Sequence, residues 1–155
     1  MSKTNAIRIL ESHKIKFEKV SYEVDADDLN GETVANKVGA EPDTVFKTLV
    51  CVGDKTGYVV FCIPVTQELN LKKAAAVSGN KKIEMIKLKE LLPLTGYIRG
   101  GCSPIGMKKQ FPTYIDETAQ LFENIFVSAG VRGMQMKLNS SDLLKLVDGV
   151  YADLI

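Results

Sequence analysis

Two apolar runs, Val45-Phe46-Lys47-Thr48-Leu49-Val50-Cys51-Val52 and Tyr58 to Ile63, flank the turn-forming Gly53-Asp54-Lys55-Thr56-Gly57. This arrangement predicts a β-hairpin, ended by Pro64. Side chains alternate between the faces of a strand, so Val45, Lys47, Leu49 and Cys51 share one face. Phe46, Thr48, Val50 and Val52 share the other. Neither face is polar, which predicts a hairpin covered on both sides. Lys47 is the anomaly. Its stem can pack while its head reaches water, as expected for a residue rarely buried whole. The functional alternative is an amine at the mouth of a cleft, desolvated there or set against an anionic group.

The rest of the chain supplies helices and strands around this hairpin. Ser2 or Thr4 caps a helix running to about His13, with Ala6, Ile9, Leu10 and His13 along its stripe. Lys16 to Tyr22 reads as extended. Glu32 to Val38 reads as a short helix with Val34, Ala35 and Val38 inward, stopped by Gly39. Leu71 to Val77 is helical, Lys82 to Ile86 a strand, and Lys87 to Leu92 a helix ending before Pro93. Thr113 to Ile115, Asn124 to Val127 and Gly133 to Leu138 are strands. Asn139 or Ser140 caps a last helix ending near Val147. This mixture predicts an α+β fold around a mixed, strongly twisted sheet, in one domain over residues 1–155.

Several functions are excluded or weakened by composition. The formal net charge is +1, too small for gripping nucleic acid by bulk electrostatics alone. The pairs Lys72-Lys73, Lys81-Lys82 and Lys108-Lys109 could form a basic rim, but no RNP-like aromatic pattern accompanies them. No apolar run approaches the roughly 18–20 residues of a membrane span, and the opening MSKTNAIRILESHK is too polar for a signal peptide. The three cysteines, Cys51, Cys62 and Cys102, match no zinc spacing and read as reduced thiols. His13 is the single histidine. Without HExxH or GxSxG, most familiar hydrolase chemistries are absent.

Two further stretches draw attention. Gly96-Tyr97-Ile98-Arg99-Gly100-Gly101-Cys102-Ser103-Pro104-Ile105-Gly106 concentrates glycine, serine and proline. Adjacent glycines let a ligand approach bare backbone, whose N–H groups can hold an anion or a developing oxyanion. The alternative is a structural turn. In Val127-Ser128-Ala129-Gly130-Val131-Arg132-Gly133-Met134-Gln135 a strand ends at Ser128, a small-residue turn follows and another strand begins near Gly133, which reads first as a plain hairpin turn. Cys102 has no base among its sequence neighbours, so a bystander thiol is the better reading.

Taken together, FKTLV, GGCSPIG and SAGVRG, in that order and spacing, resemble the YbaK/EbsC family. These are free-standing relatives of the editing domain inserted into bacterial prolyl-tRNA synthetases. The resemblance extends from the first helix to Leu146. It implies a sheet that curls toward a barrel, and removal of cysteine from mischarged Cys-tRNA(Pro), with some activity on Cys-tRNA(Cys). It implies Lys47 as the essential lysine, and Tyr22, Thr48, Gly100, Gly101 and Ser128 as residues that bind substrate. No metal and no cofactor are expected. The implied partner is the 3′ end of an aminoacyl-tRNA, with help from prolyl-tRNA synthetase, in the cytoplasm and away from membranes. Two positions depart from the family: Cys102, where many relatives carry isoleucine, and Gln135, where some carry an acidic residue.

The implied chemistry has Lys47 pairing with the terminal phosphate or the ester carbonyl, and the Gly100-Gly101 amides binding that carbonyl. The substrate's own thiol attacks the ester. Proline and cysteine are similar in volume, and one methylene gives only about 1–3 kcal/mol of discrimination, so a second sieve is needed. Two alternatives stand beside this one. One is water-driven deacylation of another mischarged tRNA, such as Ala-tRNA(Pro). The other is a non-catalytic regulatory or binding protein of the same fold.

Overall fold

The computed structural model describes residues 3–155. In chain order the elements are α1 (Asn5–Ser12), β1 (Phe17–Ser21), α2 (Gly31–Val38), β2 (Phe46–Gly53) and β3 (Gly57–Pro64). They continue as α3 (Leu71–Ser78), β4 (Ile83–Met85), α4 (Leu88–Thr95), β5 (Thr113–Asp116), β6 (Ile125–Ser128), β7 (Met134–Leu138), α5 (Ser140–Leu146) and β8 (Val150–Ala152). The α+β reading holds, but the strands divide into two sheets. One is mixed and five-stranded, in the order β4-β2-β3-β5-β8; the other is three-stranded, β1-β7-β6. A parallel bridge between Val45 and Phe126 links them. The expected curl toward a barrel is not carried to closure, because β4 and β8 end the larger sheet as separate edges.

The hairpin forms as predicted, with Gly53 opposite Gly57. Asn80 holds its turn: its Oδ1 accepts from the Lys55 and Thr56 amides at 2.9 and 3.0 Å. Both hairpin faces are covered, as the apolar pattern requires. Phe46, Val50, Val60 and Cys62 enter the larger core with α1, Ile125, Val127, Met136 and Leu138. Cys51, Val59, Phe61 and Ile63 enter a second core against Ala74, Ala75 and Leu154. Burying the sheet on both sides holds β2 in place.

Local expectations fail in instructive places. Thr4 is the α1 cap, its side chain accepting from the Ile7 amide at 3.2 Å; the alternative cap, Ser2, lies outside the described residues. The buried α1 stripe is Ala6, Ile7 and Leu10, leaving His13 exposed. Helix α4 does not stop before Pro93 but runs through it to Thr95. Pro93 cannot donate to the Lys89 carbonyl, and Lys89 is exposed, so water can satisfy that oxygen. Strand β8 was not expected. It pairs in parallel with β5 from Tyr114↔Val150 to Asp116↔Ala152, and Asp116 fastens it by accepting from the Leu154 amide at 2.9 Å.

Candidate active site

Strand β2 has an incompletely covered edge. Strand β4 pairs only with Cys51 to Gly53, and Val45 bridges to Phe126 at the other end. Val45 accepts from the Val65 amide, so antiparallel alternation turns the peptide groups of Lys47 and Leu49 toward β3. Those of Phe46, Thr48 and Val50 face the opposite edge, where the Val50 carbonyl receives the Ile86 amide at 3.3 Å. Between these anchors a cavity of about 370 Å³ opens beside Lys47 and Thr48. That volume is in the range of small-ligand clefts, about 300–1,000 Å³. Volume alone does not single it out, since a hollow of about 380 Å³ lies between Gln110–Tyr114 and Val147–Val150. The first cavity differs in drawing its walls from three separate stretches of the chain that carry candidate residues.

Lys47 and Thr48 alternate faces, yet both line the cavity, which borders the open strand edge where Thr48 presents its peptide groups. Lys47 is half-buried, and among the described residues it makes no salt bridge. Thr48 Oγ1 lies 3.9 Å from Cys62 Sγ on the adjacent strand. Arg99 stands exposed at the rim, with Gly100 beside it. Among the described residues these two cations are the only charged side chains on the cavity wall, and no carboxylate lines it.

The glycine loop is held from below. Tyr97 is buried, its hydroxyl donating to the Ile105 carbonyl at 2.6 Å, and Arg132 Nε donates to the Arg99 carbonyl at 2.8 Å. Gly100 takes a positive φ of 84°, a conformation that favours glycine. Its amide has no intramolecular acceptor among the described residues. The Gly101 amide donates to the Ile98 carbonyl at 2.9 Å. The expected pair of free amides therefore reduces to one, and Gly101 is not on the cavity wall. Gly101 instead packs where a Cβ would crowd the backbone of Val131 and Arg132, 3.0 Å away.

Ser128 ends β6 and is buried at the cavity wall. Its Oγ accepts from the Gly130 amide at 3.2 Å, while its own hydrogen has no intramolecular acceptor among the described residues. Tyr22 is not brought in. It lies just past β1, its amide donating to the Gly133 carbonyl at 2.9 Å, and its side chain does not line the cavity. The sequence reading did not single out Leu29, Asn30, Gly31 and Val34 on the approach to and start of α2, or Val65 after the hairpin, all of which line it. One signal was available: Asn30-Gly31 is a cap followed by a glycine, and Asn30 Oδ1 accepts from the Glu32 amide at 2.8 Å.

Among the described residues, no side chain at the cavity is an activated nucleophile. Burial pushes the Cys102 thiol from its ordinary value up to about 12, against a smaller opposing effect from Thr95, so the thiolate is scarce near neutrality. Cys62, fully buried, is likewise pushed up to about 12 by desolvation. Neither His13 nor any carboxylate reaches the cavity to activate Ser128.

A family model described as an aminoacyl-tRNA editing domain matches residues 25–146. The chain belongs to the aminoacyl-tRNA editing domain family. Every residue lining the cavity, from Leu29 to Gln135, falls within the matched segment; Tyr22 falls outside it. An Enterococcus faecalis protein, EbsC, described as a candidate Cys-tRNA(Pro)/Cys-tRNA(Cys) deacylase, is 55% identical over 152 residues, covering 98% of this chain and 93% of EbsC. A solved structure described as a candidate trans-editing enzyme for prolyl-tRNA synthetase shares the fold with a TM-score of 0.83 at 27% identity, covering 99% of this chain and 98% of its own. A hypothetical protein of solved structure gives a TM-score of 0.88 at 17% identity, covering 97% of this chain and 99% of its own. That likeness is one of fold alone. The editing domain here is thus a member of a family that acts on aminoacyl-tRNA, and no described helix is long and apolar enough to cross a membrane.

Proposed function

We propose that this editing domain acts in trans as a cytoplasmic deacylase that removes cysteine from Cys-tRNA(Pro), and to some extent from Cys-tRNA(Cys). The observation that carries the reading is one cavity lined by Lys47, Gly100 and Ser128, with no carboxylate and no imidazole among the described residues. Such a site can orient an ester and stabilise charge on its carbonyl oxygen, but it has no evident means of activating water or a protein nucleophile. A substrate that brings its own nucleophile meets that limitation.

Lys47 takes the terminal phosphate or the ester carbonyl, and Arg99 at the rim takes a neighbouring phosphate. The Gly100 amide and the Ser128 hydroxyl donate to the carbonyl oxygen, while the peptide groups of Thr48 border the ester from the β2 edge. The cysteine sulfur bonds to its own ester carbon and the carbon–oxygen bond to ribose breaks. The thiol proton passes to the leaving ribose oxygen, giving free tRNA and a cyclic thioester of cysteine. Tyr22, beside the Gly133 loop, serves as an outer contact for the tRNA end. The small net charge of +1 favours a weak grip on tRNA, supplemented by prolyl-tRNA synthetase.

The 55% identity to EbsC over nearly the whole chain supports the choice of cysteine. A deacylation panel tests it, using cysteinyl, S-methyl-cysteinyl, alanyl and prolyl esters of tRNA(Pro). Only the cysteinyl ester should be lost. Cleavage of the S-methyl or alanyl ester at a similar rate would overturn the reading in favour of attack by water.

A further inference from the structure

Helix α4 carries apolar residues on both its inner and its outer face. Leu91 and Leu94 pack against the larger core, and Thr95 is buried beside them. At about 100° per residue, the opposite face presents Leu88, Lys89, Leu92 and Pro93, all exposed. Leu88 and Leu92 are neighbours one turn apart and are 61% and 52% exposed. Met85 before the helix and Ile98 after it are exposed as well. Single exposed apolar side chains are ordinary on a protein surface. A helix with apolar residues on both sides, in contrast, is the pattern of one covered on both sides.

We infer that the outer face of α4 docks an acidic segment of a protein partner, with apolar side chains packed on Leu88 and Leu92 and carboxylates set against Lys87 and Lys89. The sign of the charge follows from what is already paired. Glu84 lies 2.9 Å from Lys82, and a Glu90 carboxylate oxygen accepts from the Lys87 amide at 2.9 Å. Lys81, Lys87 and Lys89 are exposed and make no salt bridge among the described residues. The uncompensated charge is positive. A second copy of this chain is disfavoured as occupant, because a two-fold contact sets the same patch, and the same lysines, against itself. RNA would answer the lysines but not the leucines.

The place of α4 in the fold gives such a partner a task. Just before the helix, the Ile86 amide donates to the Val50 carbonyl on the β2 edge. Just after it, Arg99 and Gly100 stand on the cavity wall. A protein seated on α4 therefore lies beside the cavity mouth, where it can hold tRNA while the acylated end enters. Leu88, Lys89 and Leu92 do not themselves line the cavity, so docking and chemistry are separable. The inference rests on the proposed reading of a deacylase helped by prolyl-tRNA synthetase, and it names the face that the synthetase would engage.

The test measures binding of the protein to prolyl-tRNA synthetase from the same organism, with deacylation by the isolated protein as control. Leu88→Gln combined with Leu92→Gln should weaken binding by about tenfold or more. The isolated double variant should keep wild-type Cys-tRNA(Pro) deacylation and a near wild-type Tm, since both leucines are exposed and outside the cavity. Lys89→Glu should also weaken binding and flatten its dependence on salt. Tighter binding by Lys89→Glu would overturn the acidic assignment. Wild-type affinity in the double variant would overturn the inference and leave the deacylase reading intact. So would a face that serves self-association, or phosphatidylserine vesicles, in place of the synthetase. Wild-type protein that does not bind the synthetase would overturn it together with the synthetase's part in the proposed function. The deacylase reading falls separately, if the isolated wild type leaves Cys-tRNA(Pro) intact.

Discussion

Gly101 and Arg132 pack backbone against backbone: a Cβ added to Gly101 would lie 3.0 Å from the Arg132 nitrogen and from Val131. This contact joins the glycine loop to the turn after Ser128, so two cavity walls distant in sequence are set against each other. Neither backbone can yield as a flexible side chain would. Gly101→Ala should cost about 1–3 kcal/mol through overpacking, lowering Tm by several degrees in a chain of this size. Deacylation should fall as well, because the walls separate. Thermal unfolding followed by single-turnover deacylation on the same sample checks both outcomes.

Arg99 stands exposed at the rim, near Lys47 but without its burial. Its expected contact is a tRNA phosphate. Arg99→Ala should weaken tRNA binding with little change in the rate of the bound complex. The slope of log K against log salt should become shallower by roughly 0.7–0.9, the signature of one lost phosphate contact. Binding titrations across a salt series measure this directly.

The buried thiols make an alkaline prediction. Desolvation raises Cys51, Cys62 and Cys102 from 9.0 to about 12, and burial likewise raises Tyr97 from 10.0 to about 12. Between pH 9 and about 12 the folded state keeps protons that the unfolded chain releases, so stability falls as pH rises through that window. Below pH 9 these thiols should leave stability independent of pH. Replacing Cys51 and Cys62 by alanine should flatten the alkaline decline, seen in urea unfolding at successive pH values. Cys102→Ser should leave deacylation within a few-fold at neutral pH, since no Cys102 thiolate takes part.

Much of this architecture was legible in the residues. The hairpin followed from two apolar runs around a glycine-bounded turn, and the cover on both its faces followed from the absence of a polar face. Lys47 stood out as an anomaly with two readings, a snorkelling side chain or an amine at a cleft, and it lies on the wall of a cavity. The division into two sheets was not legible, because it depends on which strand edges meet, and Val45–Phe126 is a contact between residues distant in sequence. Strand β8 is only Val150–Ala152, too short to show a period. Helix α4 passing Pro93 turned on the exposure of one carbonyl. At the site, GGCSPIG marked a loop whose Gly100 and Cys102 line the cavity, but could not show that Gly101 donates to Ile98. The exposure of Leu88 and Leu92 required coordinates, since it is a fact about their neighbours.

The role of Lys47 is tested most directly by single-turnover deacylation of Cys-tRNA(Pro) with Lys47→Ala, alongside its thermal unfolding. Lys47 is half-buried and without a salt-bridge partner among the described residues, so the variant should keep close to wild-type Tm. Its deacylation rate should drop by about 100-fold or more, as when an electrostatic contact to a developing oxyanion is removed. A folded Lys47→Ala protein that cleaves the ester at near wild-type rate would contradict the account.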